Sequence, residues 1–464
     1  MTTYLTGQPP SKARWKILAL LTLISIITYV DRVNISVAAR QMMPALGFDQ
    51  VQMGYIFSAF VVGYALFQIP GGWLGDYWGS RKVLTAAVLW WSLFTACTAL
   101  AATLPSAAWF GVLGSFVLIR FLIGVGEAAA LPNFNRTVAN WFPARERGLG
   151  MGVSIGGIGI GASLTPPVVA WIMVNYGWQS AFYVSGLAGV LIALLWAWYA
   201  RDRPEQHGSV NEAELDCIRT SSHADRTPLR NDTSVVLSVS SGQASILPSP
   251  HRGTEQGEGE AVPWAAFLRT PSIWWLVLAY TCLGYVAYVY MSWFYLYLVN
   301  ERGFDVLRGA FFAMGPFIAM ALFCPLGGWL TDRLAAALGL NQGRCFVGCS
   351  GMLLSGLCIL AGTRLAEPHA AILLLSLWAG FLYFTVGAFW ASTIDFTSRH
   401  AGTLSGIMNT GANIGGAISP TFTPWLAEQF GWNTSLSFAA FVAALGGVLW
   451  LLIRPGNGLR VLDA

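Results

Sequence analysis

The sequence predicts an all-α integral membrane protein of twelve transmembrane helices, arranged as two pseudo-symmetric six-helix halves. Three observations carry that prediction. Hydrophobic residues make up 55% of the chain and charged residues only 10%, against about 25% charged in soluble domains. Apolar stretches of about 20 residues, the length a hydrocarbon core demands, recur along the chain. Two residue sets also recur in register. Gly152, Gly157, Gly161, Pro166, Gly177 and Trp178 return as Gly406, Gly411, Gly415, Pro420, Gly431 and Trp432, and Gly71-Gly72-Trp73-Leu74-x-Asp76 returns as Gly327-Gly328-Trp329-Leu330-x-Asp332. A near-constant offset in both sets is the mark of an internal duplication.

The spans start near Trp15, Met53, Val83, Trp109, Gly148 and Gln179 in the first half. In the second they start near Ile273, Gly309, Cys345, Ala370, Gly402 and Asn433. Short connections make neighbours antiparallel. Residues 1–201 form the first half and 272–464 the second. Between them, 202–271 read as a cytoplasmic linker: Ser, Thr, Pro, Gly and Glu dominate from Thr220 to Glu260, too polar to order themselves by burial. A short amphipathic helix is expected around Asn211–Arg219 at its start. The first span is too long for a signal peptide, carries Asp31 and Arg32, and has no convincing cleavage site before the next span.

Basic residues fix the orientation. Lys12, Arg14, Lys16, Arg81, Lys82, Arg145, Arg147, Arg201, Arg203, Arg333, Arg344, Arg399 and Arg454 fall on one side of this plan, and Arg40, Arg302, Arg308 and Arg364 on the other. The positive-inside rule makes the first side cytoplasmic, with both termini there. The net charge of +4 is spread along the loops without a dense basic cluster, so no nucleic-acid partner is expected. Seven cysteines lie scattered, mostly within spans. Cys345-x-x-x-Cys349 has metal-pair spacing but no His or carboxylate cluster beside it, so packing is the better reading. No cofactor or metal is expected.

Four ionisable residues stand inside apolar stretches: Asp31, Arg32, Arg120 and Glu127. Each such charge at mid-bilayer costs about 2.5–3.5 kcal/mol on insertion scales, so they must pair, meet water, or work. Two acids and two arginines sum to zero charge, a balance that one proton upsets. On the first helix Ser25, Thr28, Tyr29, Arg32 and Ser36 share a face. On the fourth, Arg120 and Glu127 lie two turns apart on one face, about 10 Å along the axis. Tyr64 and Gln68 share a face of the second helix. Thr281, Tyr285, Tyr288, Ser292 and Tyr295 line one side of the seventh, and Ser405, Asn409 and Asn413 one side of the eleventh. Trp390 completes the substrate-binding candidates.

Each has a blander alternative. The tyrosines suit an interfacial belt as well as a binding site, the asparagines suit helix–helix glue, and an arginine with Glu127 suits a static ion pair. In the functional reading, the Arg120 guanidinium offers a planar fork for a carboxylate, Arg32 adds a second contact, and Asp31 and Glu127 bind protons. Ionised, the acids compete with an anion for the arginines; protonated, they leave a positive site. Proton and anion then favour each other's binding, the reciprocal coupling that symport requires. Gly124-Val125-Gly126-Glu127 mimics a dinucleotide fingerprint, but no strand precedes it. Gly157-x-x-x-Gly161 and Gly411-x-x-x-Gly415 read as close-packing faces, expected to slide against neighbours across the halves.

Gly72-x-x-x-Asp76-x-x-Gly79-x-Arg81-Lys82 resembles the loop signature of the major facilitator superfamily, and Asp332-Arg333 a weaker second copy. In that superfamily the loop Asp and basic residues form a cytoplasmic latch that holds the outward-open state. Tyr77 stands where a basic residue is common, and Arg136 is the candidate to replace that contact. A narrower match runs through Tyr29-Val30-Asp31-Arg32-x-Asn34, Gln68-Ile69-Pro70-Gly71-Gly72, Arg120-x-x-x-Gly124-x-x-Glu127-Ala128 and Trp141-Phe142-Pro143-x-x-Glu146-Arg147. Together these resemble the anion:cation symporter family of sugar-acid and sialic-acid transporters. The resemblance implies the major facilitator fold and proton symport of an organic anion. It also implies that Arg120 contacts the substrate and that Asp31 and Glu127 carry protons. The expected partners are thus a small organic anion, protons and the lipid bilayer, for a monomer in a bacterial inner membrane.

Rival readings remain. An organophosphate antiporter would want a second cation opposite Arg32 on the seventh helix, which has none. A drug exporter's helix-five pattern does not match Gly161-Ala162-Ser163-Leu164-Thr165-Pro166. A transporter-like sensor would signal through the linker. No catalytic motif of an intramembrane enzyme is present.

Overall fold

The computed structural model describes residues 9–224, 262–300, 302–303, 311–312 and 314–457. Gly309 and nearly all of the Thr220–Glu260 stretch lie outside them. The first half comprises α1 (Ala13–Leu46), α2 (Gln50–Trp78), α3 (Ser80–Thr98), α4 (Pro105–Ala128) continued by α5 (Ala130–Trp141), α6 (Arg147–Tyr176) and α7 (Trp178–Tyr199). Two short helices follow, α8 (Glu212–Ala224) and α9 (Trp264–Arg269). The second half comprises α10 (Pro271–Asn300), α11 (Gly315–Leu338), α12 (Leu340–Arg364), α13 (Pro368–Phe384) continued by α14 (Val386–Phe396), α15 (Ala401–Phe430) and α16 (Trp432–Leu449).

Among the described residues, nine spans are long and apolar enough to cross a membrane. Ser80–Thr98, Gly315–Leu338 and Ala401–Phe430 complete the twelve. They are of spanning length but more polar, and the reason is local. α3 opens on Ser80-Arg81-Lys82, α11 ends on Thr331-Asp332-Arg333, and α15 carries Ser405, Asn409, Thr410 and Asn413.

Local chemistry sets the ends. Asp49 and Gln52 form a reciprocal capping box at the start of α2, and Pro105, Pro271 and Pro368 open helices, where their missing N–H is no loss. The duplication shows in the backbone. Gly79 and Gly339 turn between spans at φ of 87° and 89°, and Gly177 and Gly431 at 80° and 85°. A side chain would strain all four.

Packing repeats likewise. α1 lies on α6, α2 on α4 and α3 on α7; α10 lies on α15, α11 on α13 and α12 on α16. Between the halves, α6 packs along α11 and α2 along α15. Small residues make this contact close. A Cβ on Gly148 or Gly152 would meet α11, and one on Gly406 would meet the Gln68 carbonyl of α2. The expectation for the Gly-x-x-x-Gly pairs is corrected here. Gly157 and Gly161 face Thr22 and Ile26 of α1, and Gly411 and Gly415 face Val277 and Thr281 of α10, each within its own half. A different face of the same helix, through Gly148, Gly152, Gly156 and Gly159, meets the other half.

The expected linker helix forms, and the first span anchors it. Glu214 of α8, fully buried, accepts the backbone N–H groups of Ala13 and Arg14, and the Arg14 guanidinium at 3.2 Å. Ser11 Oγ also donates to it. One carboxylate thereby satisfies orphan donors at the start of α1. Arg14 continues to Glu146 at 3.1 Å, just ahead of α6.

Candidate functional site

Both interfaces between the halves converge on a central cavity of about 80 Å³. Its polar rim is Ser25, Thr28, Tyr29 and Arg32 of α1, Tyr64 of α2, Tyr280 and Tyr288 of α10, Tyr383 of α13, and Asn409 and Asn413 of α15. Apolar walls come from residues such as Leu131, Phe134, Ile155 and Leu283. Ligand pockets are usually about 300–1,000 Å³, so the halves must part further before a sugar-sized guest enters.

Arg32 is the charged group of that rim. Its Nε donates to Glu127 Oε2 at 2.7 Å, and its guanidinium lies over three rings: Tyr64 at 4.2 Å, Phe60 at 5.0 Å and Tyr29 at 5.1 Å. Glu127 is fully buried behind it, and its second oxygen has no partner among the described residues. Arg120 does not line the cavity. It is 3% exposed, lies against the Phe60 ring at 5.0 Å, and its Nε is without a hydrogen bond among the described residues. Asp31, 1% exposed, faces the charges of Glu127 and Arg120, with the Trp91 indole beside it. The sequence-predicted quartet therefore forms one buried cluster, with Arg32 alone presented to the cavity. A buried ion pair is costly to desolvate, and deleting one partner strands the other.

Gln68, fully buried, accepts from the Asn409 amide at 3.0 Å, and Asn413 donates to the Asn409 carbonyl. The first of these bonds crosses the halves. Tyr288 lines the cavity, but Tyr285 does not. Tyr285 shares a 3.3 Å hydrogen bond with Thr423, and its ring packs on Phe438. The reason is helical phase. The cavity face of α10 runs through Tyr280, Leu283, Gly284, Ala287, Tyr288 and Met291, about a third of a turn from the stripe through Thr281 and Tyr285. Those two pack on α15 instead. Trp390 sits one layer out, fully buried, its Nε1 donating to the Tyr280 hydroxyl at 2.8 Å.

The alternating crossings bring both latch motifs to the face that carries both described ends of the chain. Asp76 accepts the Gly402 and Thr403 backbone N–H groups at 3.1 and 2.7 Å, and the Thr403 hydroxyl at 2.7 Å. Asp332 accepts those of Gly148 and Leu149 at 2.9 and 2.7 Å. Each carboxylate caps the N-terminus of a helix in the opposite half, where free N–H groups and the helix dipole favour negative charge. Arg136 reaches Asp76 at 3.6 Å and also donates to the Ser398 carbonyl.

Two gating candidates are elsewhere. Arg81, in the first turn of α3, donates to the Ala197 carbonyl at the end of α7, and its backbone N–H to Asp202. Arg333 is turned about 100° from Asp332 along the helix and lies over Trp329 at 4.5 Å. The cation that holds Asp332 is Arg344, at 2.6 Å, which also pairs with Asp395 at 3.0 Å. All three side chains are at most 3% exposed. The sequence reading missed Asp395, although an acid inside an apolar stretch is the same signal that picked out Asp31. It also missed Tyr280, Tyr383 and Phe60, which composition does not separate from core aromatics.

Comparison with known proteins agrees with this fold. The family model described as Major Facilitator Superfamily matches residues 21–420. The probable sulfoacetate transporter of Cupriavidus necator is 32% identical, with 96% of this chain and 94% of the relative covered. The probable galactarate/D-glucarate transporter of Escherichia coli is 30% identical, with 97% and 95% covered. Among solved structures, the proton:xylose symporter XylE superposes with a TM-score of 0.69 at 14% identity, with 96% of each chain covered. The Escherichia coli fucose:proton symporter does so at 0.65 and 16%, with 95% of this chain and 99% of that one. These two share the fold. The chain belongs to the Major Facilitator Superfamily, as a membrane transporter and not an enzyme.

Proposed function

We propose that the protein is a proton-coupled symporter of a small organic anion, a sugar acid or related carboxylate or sulfonate, working by alternating access between its halves. One observation carries this reading: Arg32 faces the cavity while its counter-ion Glu127 is buried behind it. A proton on Glu127 weakens that pair and frees the guanidinium for an anion. The anion in turn favours the protonated acid, so each raises the other's affinity. Asp31 is the second proton site and Arg120 the second cation; Asn409, Asn413, Tyr29, Tyr64 and Tyr288 supply polar contacts. The relatives named as sulfoacetate, galactarate/D-glucarate and D-galactonate transporters support an acidic substrate.

The latched face is the cytoplasmic one in this reading. Asp76 and Asp332 hold the outward-facing state, with both termini on the cytoplasmic side of a bacterial inner membrane. Each chain carries a whole cavity, so the monomer is the proposed transport unit.

Proteoliposomes test the coupling. Glu127→Gln is expected to keep counterflow exchange of the anion yet lose accumulation driven by a pH gradient. Normal accumulation by this variant would refute the role of Glu127.

A further inference from the structure

Phe60 looks ordinary in the sequence, one more aromatic in an apolar span. In the structure it is 7% exposed, and both arginines of the site share its ring: the Cζ atoms of Arg32 and Arg120 each lie 5.0 Å from its centroid. Tyr64, one turn on, stacks beside it with centroids 5.8 Å apart and planes 20° from parallel, and takes Arg32 at 4.2 Å.

Two cations on one ring repel strongly where water is scarce. An aromatic ring attracts a guanidinium and so offsets part of that repulsion for each arginine. An aliphatic side chain of the same bulk fills the space without the attraction. The two cations differ in their partners: Arg32 is hydrogen-bonded to Glu127 at 2.7 Å, while Arg120 has no hydrogen bond at its Nε among the described residues and faces the charges of Glu127 and Asp31. The remaining groups around Arg32 are Tyr29 of α1 and Tyr288 of α10.

We propose that Phe60 is a positioning residue for anion transport: its ring backs Arg32 toward the cavity and keeps Arg120 apart as a separate cation. This rests on the proposed role of Arg32 as the contact for the anion. Phe60 itself touches no anion. It acts by limiting where the guanidinium points, so its loss costs affinity more than turnover.

The test uses the full chain with Phe60→Leu and Phe60→Tyr. Phenylglyoxal labelling of Arg32, read by peptide mass mapping in detergent, is expected to run several-fold faster in Phe60→Leu and at the wild-type rate in Phe60→Tyr. In proteoliposomes offered sulfoacetate or galactarate, KM is expected to rise about fivefold in Phe60→Leu with Vmax within twofold, the scale of one cation–π contact. Phe60→Tyr should restore it. Should Phe60→Leu not give a monodisperse protein, Phe60→Met carries the same expectation. Equal labelling of Arg32 in the aliphatic variant and the wild type overturns the proposal, because space-filling alone would then suffice. If the wild type takes up neither probe, the substrate reading fails, while the labelling rates still decide the role of Phe60.

Discussion

Asp332 accepts the backbone N–H of Gly148 at 2.9 Å, so a carboxylate of the second half caps a helix of the first. Its counterpart in the duplicated pattern, Asp76, does the same for Gly402 at 3.1 Å. The capping distances are alike, but the support behind them differs. Arg344 and Asp395 back Asp332 from within its own half, whereas Arg136 approaches Asp76 only at 3.6 Å.

Neutralising Asp332 should loosen the latched face. Asp332→Asn keeps an acceptor for the α6 amides but removes the charge that the helix dipole favours, and it leaves Arg344 with Asp395 alone. With the seven native cysteines replaced, spin labels at Arg145 and Ala336 would flank this latch. Their distance distribution is expected to gain a longer component in Asp332→Asn. An unchanged distribution would show that this cap does not hold the halves together.

The two tyrosines of α10 should separate cleanly. Tyr288→Phe removes a cavity hydroxyl and is expected to raise KM for the transported anion several-fold. Tyr285→Phe removes one half of a 3.3 Å bond to Thr423, worth about 0.5–1.5 kcal/mol of stability. It should leave KM unchanged. Uptake kinetics and thermal unfolding of both variants decide the matter, and the reverse pattern would mean the cavity face of α10 lies elsewhere.

His207 gives the end of the molecule that carries the two Asp caps a pH dependence. Its ring packs edge-on against Trp141 and Tyr199, and burial, then the charge of Arg201, lower its pKa below the ordinary histidine value. The unfolded chain therefore binds this proton more readily than the folded one. Stability is full above about pH 6.5, the unfolded value, and is lost as pH falls from there through the lower folded value. Thermal unfolding should thus drop less between pH 7.5 and 5.5 in His207→Gln than in the wild type. Identical slopes would remove His207 as the cause.

Much of the fold was legible because lipid imposes few solutions. Apolar length located the spans, and the repeated glycines disclosed the duplication; apart from α11, whose expected start at Gly309 lies outside the described residues, each spanning helix begins within about five residues of its expected start. The buried quartet was legible for the same reason, since a charge in an apolar stretch announces itself. What stayed hidden was rotation about each helix axis. Tyr285 and Tyr288 are equally polar in the sequence, and only the close approach of α10 to Gly415 of α15 turns one away from the cavity. Arg81 and Arg333 were placed by motif, but the partner of Asp332 is Arg344, twelve residues on. The loop between α11 and α12 had to close before that pairing existed.

The unequal fastening of the two corners has a consequence for how the molecule moves. To release α15, Asp76 must surrender three bonds and Arg136 its hold on the Ser398 and Arg399 carbonyls. To release α6, Asp332 surrenders two amides and keeps Arg344 as a companion throughout. At this face the seam along α6 and α11 is thus held by fewer capping bonds than the seam along α2 and α15. In the proposed transport cycle, a passage to solvent would then begin at one edge and spread sideways, rather than parting evenly like a clam shell.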